Sequence, residues 1–429
     1  MMKNPILMTI CKSYLLLFIL VVCKCEEEQL DYSIAPMEKK EQEALYSAIQ
    51  GFVGNWWNGS DLYPDPCGWT PIQGVDCDLL DGFWHVTVLN FGEVLDNSLN
   101  CSQAAMFTDH LFELTHLRSL SFFNCFSSPR DNPIRIPIPS SNWERFSNTL
   151  ETLEFRSNRG LIGTIPTSFG SLKQLQSLVL LENGLTGELP TQLGWLVNLK
   201  QLALAGNHFT GQIPASFGGL SKLLILDLSR NNLSGSLPLS FGANFTSLLK
   251  LDLSSNKLQG KLPKGIGNLK KVSLLDLGRN KFSGGLIQSL EEMGSLKEMV
   301  LSNNPLGGDL MGIQWGNLQN LEILDLSNLG LRGEIPESMT EMKRLRYLGL
   351  NDNNLSGNPS PKLATHLPNL GALYINGNNL TGKLEFSQRF YKKMGRRFRA
   401  WNNSNLCYQP EMPTSSSLDV PVPDGVKAC

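Results

Sequence analysis

The sequence predicts an α/β repeat solenoid, a curved right-handed superhelix with a parallel concave β-sheet and disulfide-bonded caps. Three observations predict this fold. A segment of the form seen at residues 226–238 recurs every 24 or 25 residues. Its leucines alternate with other residues, as in a short strand that buries one face. Glycine (39) and proline (23) are plentiful, which disfavours a helical bundle because both are costly inside helices.

One position, polar in all units but one, recurs at the same place in each unit. It holds asparagine in nine of ten units and leucine, Leu329, in the eighth. A side-chain amide at the end of a strand can satisfy backbone groups of the neighbouring turn that would otherwise be buried unpaired. No unit can bury its leucines alone, so the units must stack, and a spacing of about 4.8 Å gives a ten-strand sheet roughly 43 Å long. The position falls at residues 158, 183, 207, 231, 256, 280, 304, 329, 353 and 378.

Glycine and proline recur in the part of each unit that follows the strand. Gly187 and its equivalents are expected at positive φ or at close contacts. Pairs such as Ile165-Pro166 predict a bend on a second, extended side. This proline is missing at Leu286-Ile287 and at Leu310-Met311, so we expect the second side to become irregular between about residues 285 and 315.

With its L-x-G-x-I-P signature, the unit resembles the plant-type subclass of leucine-rich repeats. Two looser units precede the regular ones, near Val86 and Leu117, and an insertion near residues 129–139 follows them. The insertion is either a binding loop or a tolerated surface insertion. The predicted order is a signal peptide (1–25), an N-terminal cap (26–85), irregular first repeats with the insertion (86–144), ten regular repeats (145–385), and a C-terminal cap and tail (386–429).

The N-terminus has the form of a signal peptide. Lys3 and Lys12 precede an apolar run at residues 15–22 that is too short to cross a bilayer, and a cut after residue 25 would release the rest. The alternative is a membrane anchor. Six cysteines remain after the cut, and an even number in a secreted chain predicts three disulfides. We expect an extracellular, secreted product with, at most, a peripheral association with the outer face of the plasma membrane.

The sequence carries no motif for catalysis or for cofactor binding. Kinase signatures, a nucleophile elbow, a zincin motif and a phosphate-binding loop are all missing. A formal net charge of −2 gives no general attraction to nucleic acid. We therefore expect a protein that is not an enzyme and has no cofactor, metal or nucleic-acid site. The five histidines are scattered, and ordinary surface or loop positions explain them best: His85, His110, His116, His208 and His366.

The strand position between the two central leucines carries acids. Residues at one repeat position stack on adjacent strands. Asp227, Asp252 and Asp276, with Asp325 further along, would therefore line the concave face. They form an acidic stripe for a basic partner or a weak cation site, or they are simply the usual residue of an L-D-L-S unit.

Apolar residues break the consensus in the neighbouring columns. Exposed apolar groups flanked by charge are typical of an interface. We predict that a protein or peptide partner binds the concave face toward its C-terminal half, the alternative being a surface that merely tolerates these residues. The apolar residues and their flanking arginines are Ile225, Leu274, Ile323, Tyr347, Tyr374, Arg230 and Arg279.

Two further patterns concern the C-terminal cap and the flanks. Phe386, Phe390, Met394 and Phe398 recur every four residues and predict a helix that covers the last repeat. Six cations between residues 389 and 399 could bind an anionic membrane or wall polymer, or form the solvated face of that helix. Glycosylation sequons that we expect to be used lie at Asn58, Asn232, Asn244, Asn354, Asn379 and Asn402.

The two ends narrow the resemblance further. Residues 67–77, which read C-G-W at one end and G-V-D-C at the other, and residues 390–407 resemble the Piriformospora indica-insensitive protein 2 family of plant leucine-rich repeat proteins. The cap resemblance implies disulfides Cys67–Cys77 and Cys407–Cys429, which leaves Cys101 for Cys125. It also implies a receptor-like protein without a kinase domain that acts at the plasma membrane in root responses to an endophytic fungus.

Two functions therefore compete. The first is an extracellular recognition and signalling scaffold, whose partner is a protein or peptide ligand, with a cell-surface receptor kinase as one candidate. The second is a secreted inhibitor of microbial cell-wall hydrolases, like the polygalacturonase-inhibiting proteins. Those inhibitors resemble this chain in their repeats but typically have eight cap cysteines, and six remain here after the predicted cut.

Overall fold

A computed structural model describes residues 35–92, 99–126, 135–409 and 425–429. Within these ranges one main sheet runs the length of the molecule, and all its neighbouring strands are parallel except the first two, which form an antiparallel pair. Its fourteen strands are Val75–Leu80, Phe83–Gly92, Ser119–Phe123, Thr152–Arg156, Ser177–Leu181, Gln201–Ala203, Ile225–Asp227, Lys250–Asp252, Leu274–Asp276, Glu298–Val300, Ile323–Asp325, Tyr347–Gly349, Ala372–Tyr374 and Phe398–Arg399.

The main sheet has four strands more than the ten that the sequence predicts. Three strands precede Thr152–Arg156, and Phe398–Arg399 follows the last regular repeat. The two looser units account for Phe83–Gly92 and Ser119–Phe123, and the caps supply the other two additional strands. An open sheet edge exposes unpaired backbone groups, so strands from the caps extend the sheet until other elements can cover it.

Stacked leucines and an asparagine ladder hold the units together. Leu226 and Leu251 are paired in register and both are fully buried. The side-chain amide of Asn231 donates to the carbonyls of Leu204 (3.0 Å) and Leu228 (3.2 Å), and its oxygen accepts from the backbone N–H of Phe209 (3.1 Å). The predicted role of the ladder asparagines is therefore confirmed.

The ladder extends beyond the predicted units at the C-terminal end and begins at a cysteine at the other end. Asn403 continues it at the C-terminal end, where its amide donates to the Ile375 carbonyl at 3.0 Å and its oxygen accepts from Leu380 N–H at 3.0 Å. At the other end, the register of Leu120 with Leu153 places Cys125 at the position of Asn158. A disulfide from Cys125 therefore takes the place of an amide at the start of the ladder.

One rung of the ladder is changed. Leu329 is buried but has no amide to offer its neighbours. Asn353, one unit later, accepts from the N–H groups of both Leu329 (2.9 Å) and Leu331 (3.1 Å). This double contact compensates for part of the lost rung.

The second side consists of short strands and single 3₁₀ turns. Pro166 has φ −63° and ψ 138°, and the turn Thr167–Ser171 begins directly after it. Proline suits this position because its φ is fixed and its missing N–H would have no partner there. Similar turns are Asp109–Glu113, Trp143–Phe146, Thr191–Trp195, Ala215–Gly219, Lys264–Asn268, Gln288–Glu292, Trp315–Asn317, Glu337–Glu341 and Gly395–Arg397.

The second-side strands are interrupted where prolines are missing. No second-side strand is present between Lys281–Phe282 and Arg332–Gly333, a fully described stretch in which only an isolated bridge joins Asp309 to Arg332. The predicted irregularity is confirmed. The strands are Ile136–Pro137, Leu161–Gly163, Gly184–Glu188, His208–Thr210, Ser234–Gly235, Lys257–Gly260, Lys281–Phe282, Arg332–Gly333, Asn354–Leu355, Thr381–Leu384, Asn405–Tyr408 and Lys427–Ala428.

The caps contain most of the α-helix. At the N-terminal end the helix Lys39–Val53 buries Leu45, Ile49 and Phe52 against the first strands, and Gly59–Leu62 follows. A one-turn helix, Lys362–Thr365, lies between the strands of the last two regular repeats, Tyr347–Gly349 and Ala372–Tyr374. Cys67 is bonded to Cys77, Cys101 to Cys125 and Cys407 to Cys429, with Cα atoms 5.7, 5.0 and 5.0 Å apart.

The C-terminal helix is shorter than its apolar stripe predicts. It spans Gln388–Met394, and Ser387 caps it by accepting from Phe390 N–H. Phe398 lies instead on a strand of the main sheet, paired with Leu373. The four-residue spacing was misleading because Phe386, Phe390, Met394 and Phe398 are all buried, although only two of them lie on the helix.

Some expectations fall outside the described residues. They are the signal peptide (1–25), residues 129–134 of the insertion predicted near residues 129–139, and residues 410–424 of the tail. Within the described part of the chain, no helix is both long enough and apolar enough to cross a bilayer.

Candidate functional site

The concave face is formed by the side chains that flank the central leucine of each main-sheet strand. The predicted apolar residues there are half-buried rather than exposed, because neighbouring strands pack their side chains side by side. The register places Lys250 between Ile225 and Leu274, and Glu298 between Leu274 and Ile323. The predicted apolar surface is therefore divided. Lys250 and Glu298 separate its first three residues, Ile225, Leu274 and Ile323, whereas Ile323 and Tyr347 are direct neighbours.

The acidic column is largely satisfied within the protein. Asp227, Asp252 and Asp276 lie on adjacent strands as predicted, and Val300 separates them from Asp325. Lys250 Nζ lies 3.0 Å from Asp227 Oδ2 and 3.7 Å from Asp252 Oδ2. One ammonium thus offsets two carboxylates, which weakens the case for an acidic stripe that recruits a basic partner.

Each aspartate also holds its own turn. Asp227 Oδ1 accepts from Ser229 N–H (3.1 Å) and from Ser229 Oγ–H (2.7 Å), and Asp325 makes the same pair of bonds with Ser327. The L-D-L-S pattern is therefore a local hydrogen-bonding device. This geometry favours the structural interpretation of the aspartates.

Asp276 differs from the other three because Gly278 replaces the serine. Among the described residues it accepts only the Gly278 N–H, at 2.9 Å. Burial and the nearby charges of Asp252 and Asp325 raise the pKa of Asp276 to about 6, against the opposing effects of Gly278 and Lys250. Asp276 can therefore change its charge in mildly acidic solution.

The C-terminal end of the concave face carries an aromatic patch, which we define as Tyr347, Tyr374, Arg399 and Trp401. The tyrosine rings meet edge to face with centroids 5.5 Å apart. The Arg399 guanidinium lies 4.5 Å from the centre of the Tyr374 ring and 5.5 Å from that of Trp401. Burial, with Asp325 and Tyr374 nearby, raises the pKa of Tyr347 to about 12, so its hydroxyl stays protonated.

Sequence reasoning missed two members of this patch. The sequence pattern groups Arg399 with the basic segment of the cap, and it does not single out Trp401. Asn403 provides the signal that could have found them, because it lies 25 residues after Asn378 and so marks an additional unit. In that unit Arg399 is the counterpart of Tyr374.

The two predicted arginines lie on the rim rather than in the patch. Arg230 follows its strand at φ 54° and pairs with Glu182, with Nη2 and Oε1 3.1 Å apart. Arg279 has the equivalent conformation, is exposed, and has no ion pair among the described residues. Neither arginine joins Tyr347 and Tyr374.

The basic segment is split between two faces. Its six cations are all exposed, but Lys393 and Arg397 donate to the backbone carbonyls of Pro368 and Lys393, whereas Arg399 belongs to the aromatic patch. Among the sequons, Asn232 is half-buried and the others, Asn58, Asn244, Asn354, Asn379 and Asn402, are exposed.

The expectation of scattered histidines is wrong for two of the five. His85 and His116 lie with ring centroids 3.8 Å apart, and Glu41 contacts His85. They come from segments 31 residues apart, and no short motif in the sequence signals their contact.

These features are those of the plant-type leucine-rich repeat fold. Models of the leucine-rich repeat family match residues 197–258 and 320–342. Over 178 residues the chain is 57% identical to Piriformospora indica-insensitive protein 2 of Arabidopsis thaliana, and the match covers 41% of this chain and 41% of that protein. The chain thus spans about two fifths of the length of this relative.

Solved structures share the fold. The plant peptide hormone receptor RGFR1 in complex with RGF2 has a TM-score of 0.61 and 25% identity, over 72% of this chain and 51% of that chain. The structure of PEPR1-AtPEP1 has a TM-score of 0.64 and 26% identity, over 87% of this chain and 52% of that chain. The fold is therefore that of plant leucine-rich repeat ectodomains, which is consistent with ligand binding.

Proposed function

We propose that this protein is an extracellular recognition scaffold that binds a protein or peptide partner on its concave face, at the aromatic patch. The observation that carries the proposal is the contiguity of Tyr347, Tyr374, Arg399 and Trp401 at one end of that face. Tyrosine, tryptophan and arginine are the residues that most often dominate binding energy at interfaces. The half-buried Ile323 lies beside Tyr347 and enlarges the apolar area.

The relatives support the class of partner. RGFR1 is a peptide hormone receptor and is seen in complex with RGF2. We further propose a role in the response of plant roots to an endophytic fungus or to other microbes, for which the support is the name of the 57% identical relative. A cell-surface receptor kinase is one candidate class of signalling partner for such a scaffold.

The location follows from the same proposal. Secretion is supported by the signal-like N-terminus and by the three disulfides, which persist in oxidising compartments. Glycans at Asn354, on the second-side strand Asn354–Leu355, and at the equivalent Asn379 would lie away from the main-sheet strands. Association with the outer face of the membrane would then be peripheral.

A peptide-capture experiment tests the patch. The purified chain is immobilised, exposed to apoplastic peptides and proteins from plant roots, and its bound fraction is identified by mass spectrometry. We expect the affinity of the double variant Tyr347→Ala/Tyr374→Ala for the partner to fall at least about tenfold, as is typical of an interface hot spot. The matched control Ser177→Ala/Gln201→Ala changes two residues in the column of the concave face that contains Tyr347, far from the patch, and should retain the partner.

Two results would contradict this proposal. Equal recovery of the partner by the double variant, with unchanged circular dichroism, would place binding elsewhere. Inhibition of fungal pectinases by the purified chain, unaffected by either variant, would favour the wall-hydrolase inhibitor instead.

A further inference from the structure

Three side chains from separate elements converge at the N-terminal end. Glu41 comes from the helix Lys39–Val53, His85 from the strand Phe83–Gly92, and His116 from the loop between the turn Asp109–Glu113 and the strand Ser119–Phe123. Each offers one ligand atom, and these atoms all lie within 4.8 Å of one another. The cluster lies in the N-terminal cap region and has no part in the proposed concave site.

The Glu41 carboxylate is nearly buried, and contacts to both of its oxygens hold it in place. Its side chain is only 9% exposed. Oε1 accepts from Val86 N–H at 2.9 Å, and Oε2 lies 2.6 Å from His85 Nδ1. A buried carboxylate requires compensating partners, and one of its oxygens already has a fixed backbone donor.

His116 carries a second observation that points to a ligand and is independent of the contacts of Glu41. Its ring lies against His85, with centroids 3.8 Å apart and planes 41° apart. Its Nδ1 is fully buried and has no hydrogen-bond partner among the described residues. Neutral imidazole is the form of histidine that binds metal ions, and a ring nitrogen without a hydrogen-bond partner can serve as a ligand.

We propose that Glu41, His85 and His116 form a binding site for a divalent transition-metal cation, with Zn²⁺ as the preferred ion. Two imidazole nitrogens and one carboxylate are a donor set typical of zinc, whereas Ca²⁺ and Mg²⁺ select all-oxygen sites. Ligand bonds of about 2.1 Å place tetrahedral ligands roughly 3.4 Å apart, so small side-chain rotations close the site.

The surroundings fit a site with one open position. The cluster lines a cavity of about 320 Å³, which leaves room for water as a fourth ligand. The charges that face it are the carboxylates of Glu38, Glu41 and Glu113 and the cations of Lys40 and Arg145. The acids outnumber the cations, so the local field favours a bound cation.

Such an ion would link three elements of the N-terminal region. The unfolded chain does not present the three ligands together, so metal binding stabilises the folded state. It would hold the cap helix to the first parallel strand and to the loop that leads into the next strand.

Calorimetry and thermal unfolding test this site on the purified, metal-stripped chain with ZnCl₂ as the probe. We expect one Zn²⁺ to bind per chain and to raise the unfolding temperature, while CaCl₂ and MgCl₂ leave it unchanged. His116→Gln and Glu41→Gln should weaken Zn²⁺ binding at least about tenfold. His208→Gln, which changes an exposed histidine on the second side, should bind Zn²⁺ as the unchanged chain does.

His116→Gln keeps the test decisive even if Glu41→Gln fails to fold. Because His116 Nδ1 has no partner to lose, the metal-free variant should unfold at nearly the wild-type temperature. Equal Zn²⁺ affinity in His116→Gln and His208→Gln would overturn the proposal, as would a lower unfolding temperature on adding Zn²⁺ to the wild-type chain.

Discussion

Single residues decide how equivalent positions behave on the concave face. Asp227, Asp325 and Asp276 share one strand position, yet the first two accept a serine hydroxyl and the third does not. The difference lies two residues downstream, where Gly278 replaces serine. An acid with fewer donors in a partly buried site favours its neutral form, and this effect is invisible to repeat periodicity.

The raised pKa of Asp276 predicts a pH-dependent gain from Asp276→Asn. The folded-state pKa is about 6 and the ordinary value is 3.8, so proton binding by this side chain stabilises the fold most below pH 3.8. That stabilisation is lost as the pH rises through about 6. We therefore expect the variant to unfold at a higher temperature than wild type at pH 7.5, with the difference vanishing near pH 4.

A second substitution at the same strand position provides the control. Asp325→Asn weakens the two bonds from Ser327, so it should lower the unfolding temperature at pH 7.5. If thermal scans from pH 4 to pH 8 show a pH-independent effect of Asp276→Asn, the assigned titration is wrong.

Structural elements differ in how far the sequence predicts them. The regular strands follow from leucine spacing, and the ladder follows from the chemistry of a buried amide, so both were predicted with their residues. The aromatic patch was predicted only in its tyrosines, because Arg399 belongs to a strand that the four-residue spacing of Phe390, Met394 and Phe398 disguised as helix. The Glu41–His85 contact depends on how the cap helix docks, and a 44-residue separation carries no local signal.

The ladder predicts a large stability effect from one amide. Asn231→Ala would leave the carbonyls of Leu204 and Leu228 and the N–H of Phe209 without this partner in a buried setting. We expect a loss of about 2 to 4 kcal/mol in the free energy of unfolding. Urea denaturation followed by circular dichroism measures it.

An asparagine outside the ladder gives the comparison. Asn198 also donates to a carbonyl, that of Lys173 at 2.8 Å, but it lies on the accessible surface. Asn198→Ala should change the free energy of unfolding by less than about 1 kcal/mol because water replaces the lost bond. Similar losses for the two variants would show that the ladder amides have no special role.

At the scale of the whole molecule, the stack depends on its ends. Each unit covers its neighbour, so the terminal units need caps to shield their leucines. The C-terminal cap supplies Phe390, Met394 and Phe398 to this cover, and the Cys407–Cys429 disulfide closes it. The caps therefore determine how much of the apolar core at each end is exposed to water.

Removal of the C-terminal cap should cause self-association. A chain ending at residue 385 exposes the sheet edge at Ala372–Tyr374 and the apolar surface that Phe398 covers. We expect size-exclusion chromatography to find aggregates or no soluble product. The double variant Cys407→Ser/Cys429→Ser keeps the covering residues and should remain monomeric, although less stable; a monomeric truncated chain would contradict the role assigned to the cap.

The leucine at position 329, where the other repeats have asparagine, divides the ladder in two and so affects the part of the molecule that carries the aromatic patch. It leaves seven consecutive amide rungs, from Asn158 to Asn304, on one side, and the three rungs at Asn353, Asn378 and Asn403 on the other. Tyr347, Tyr374, Arg399 and Trp401 all belong to the shorter block. We expect this block to be the less constrained of the two, which hydrogen–deuterium exchange of the amides on either side of Leu329 would measure.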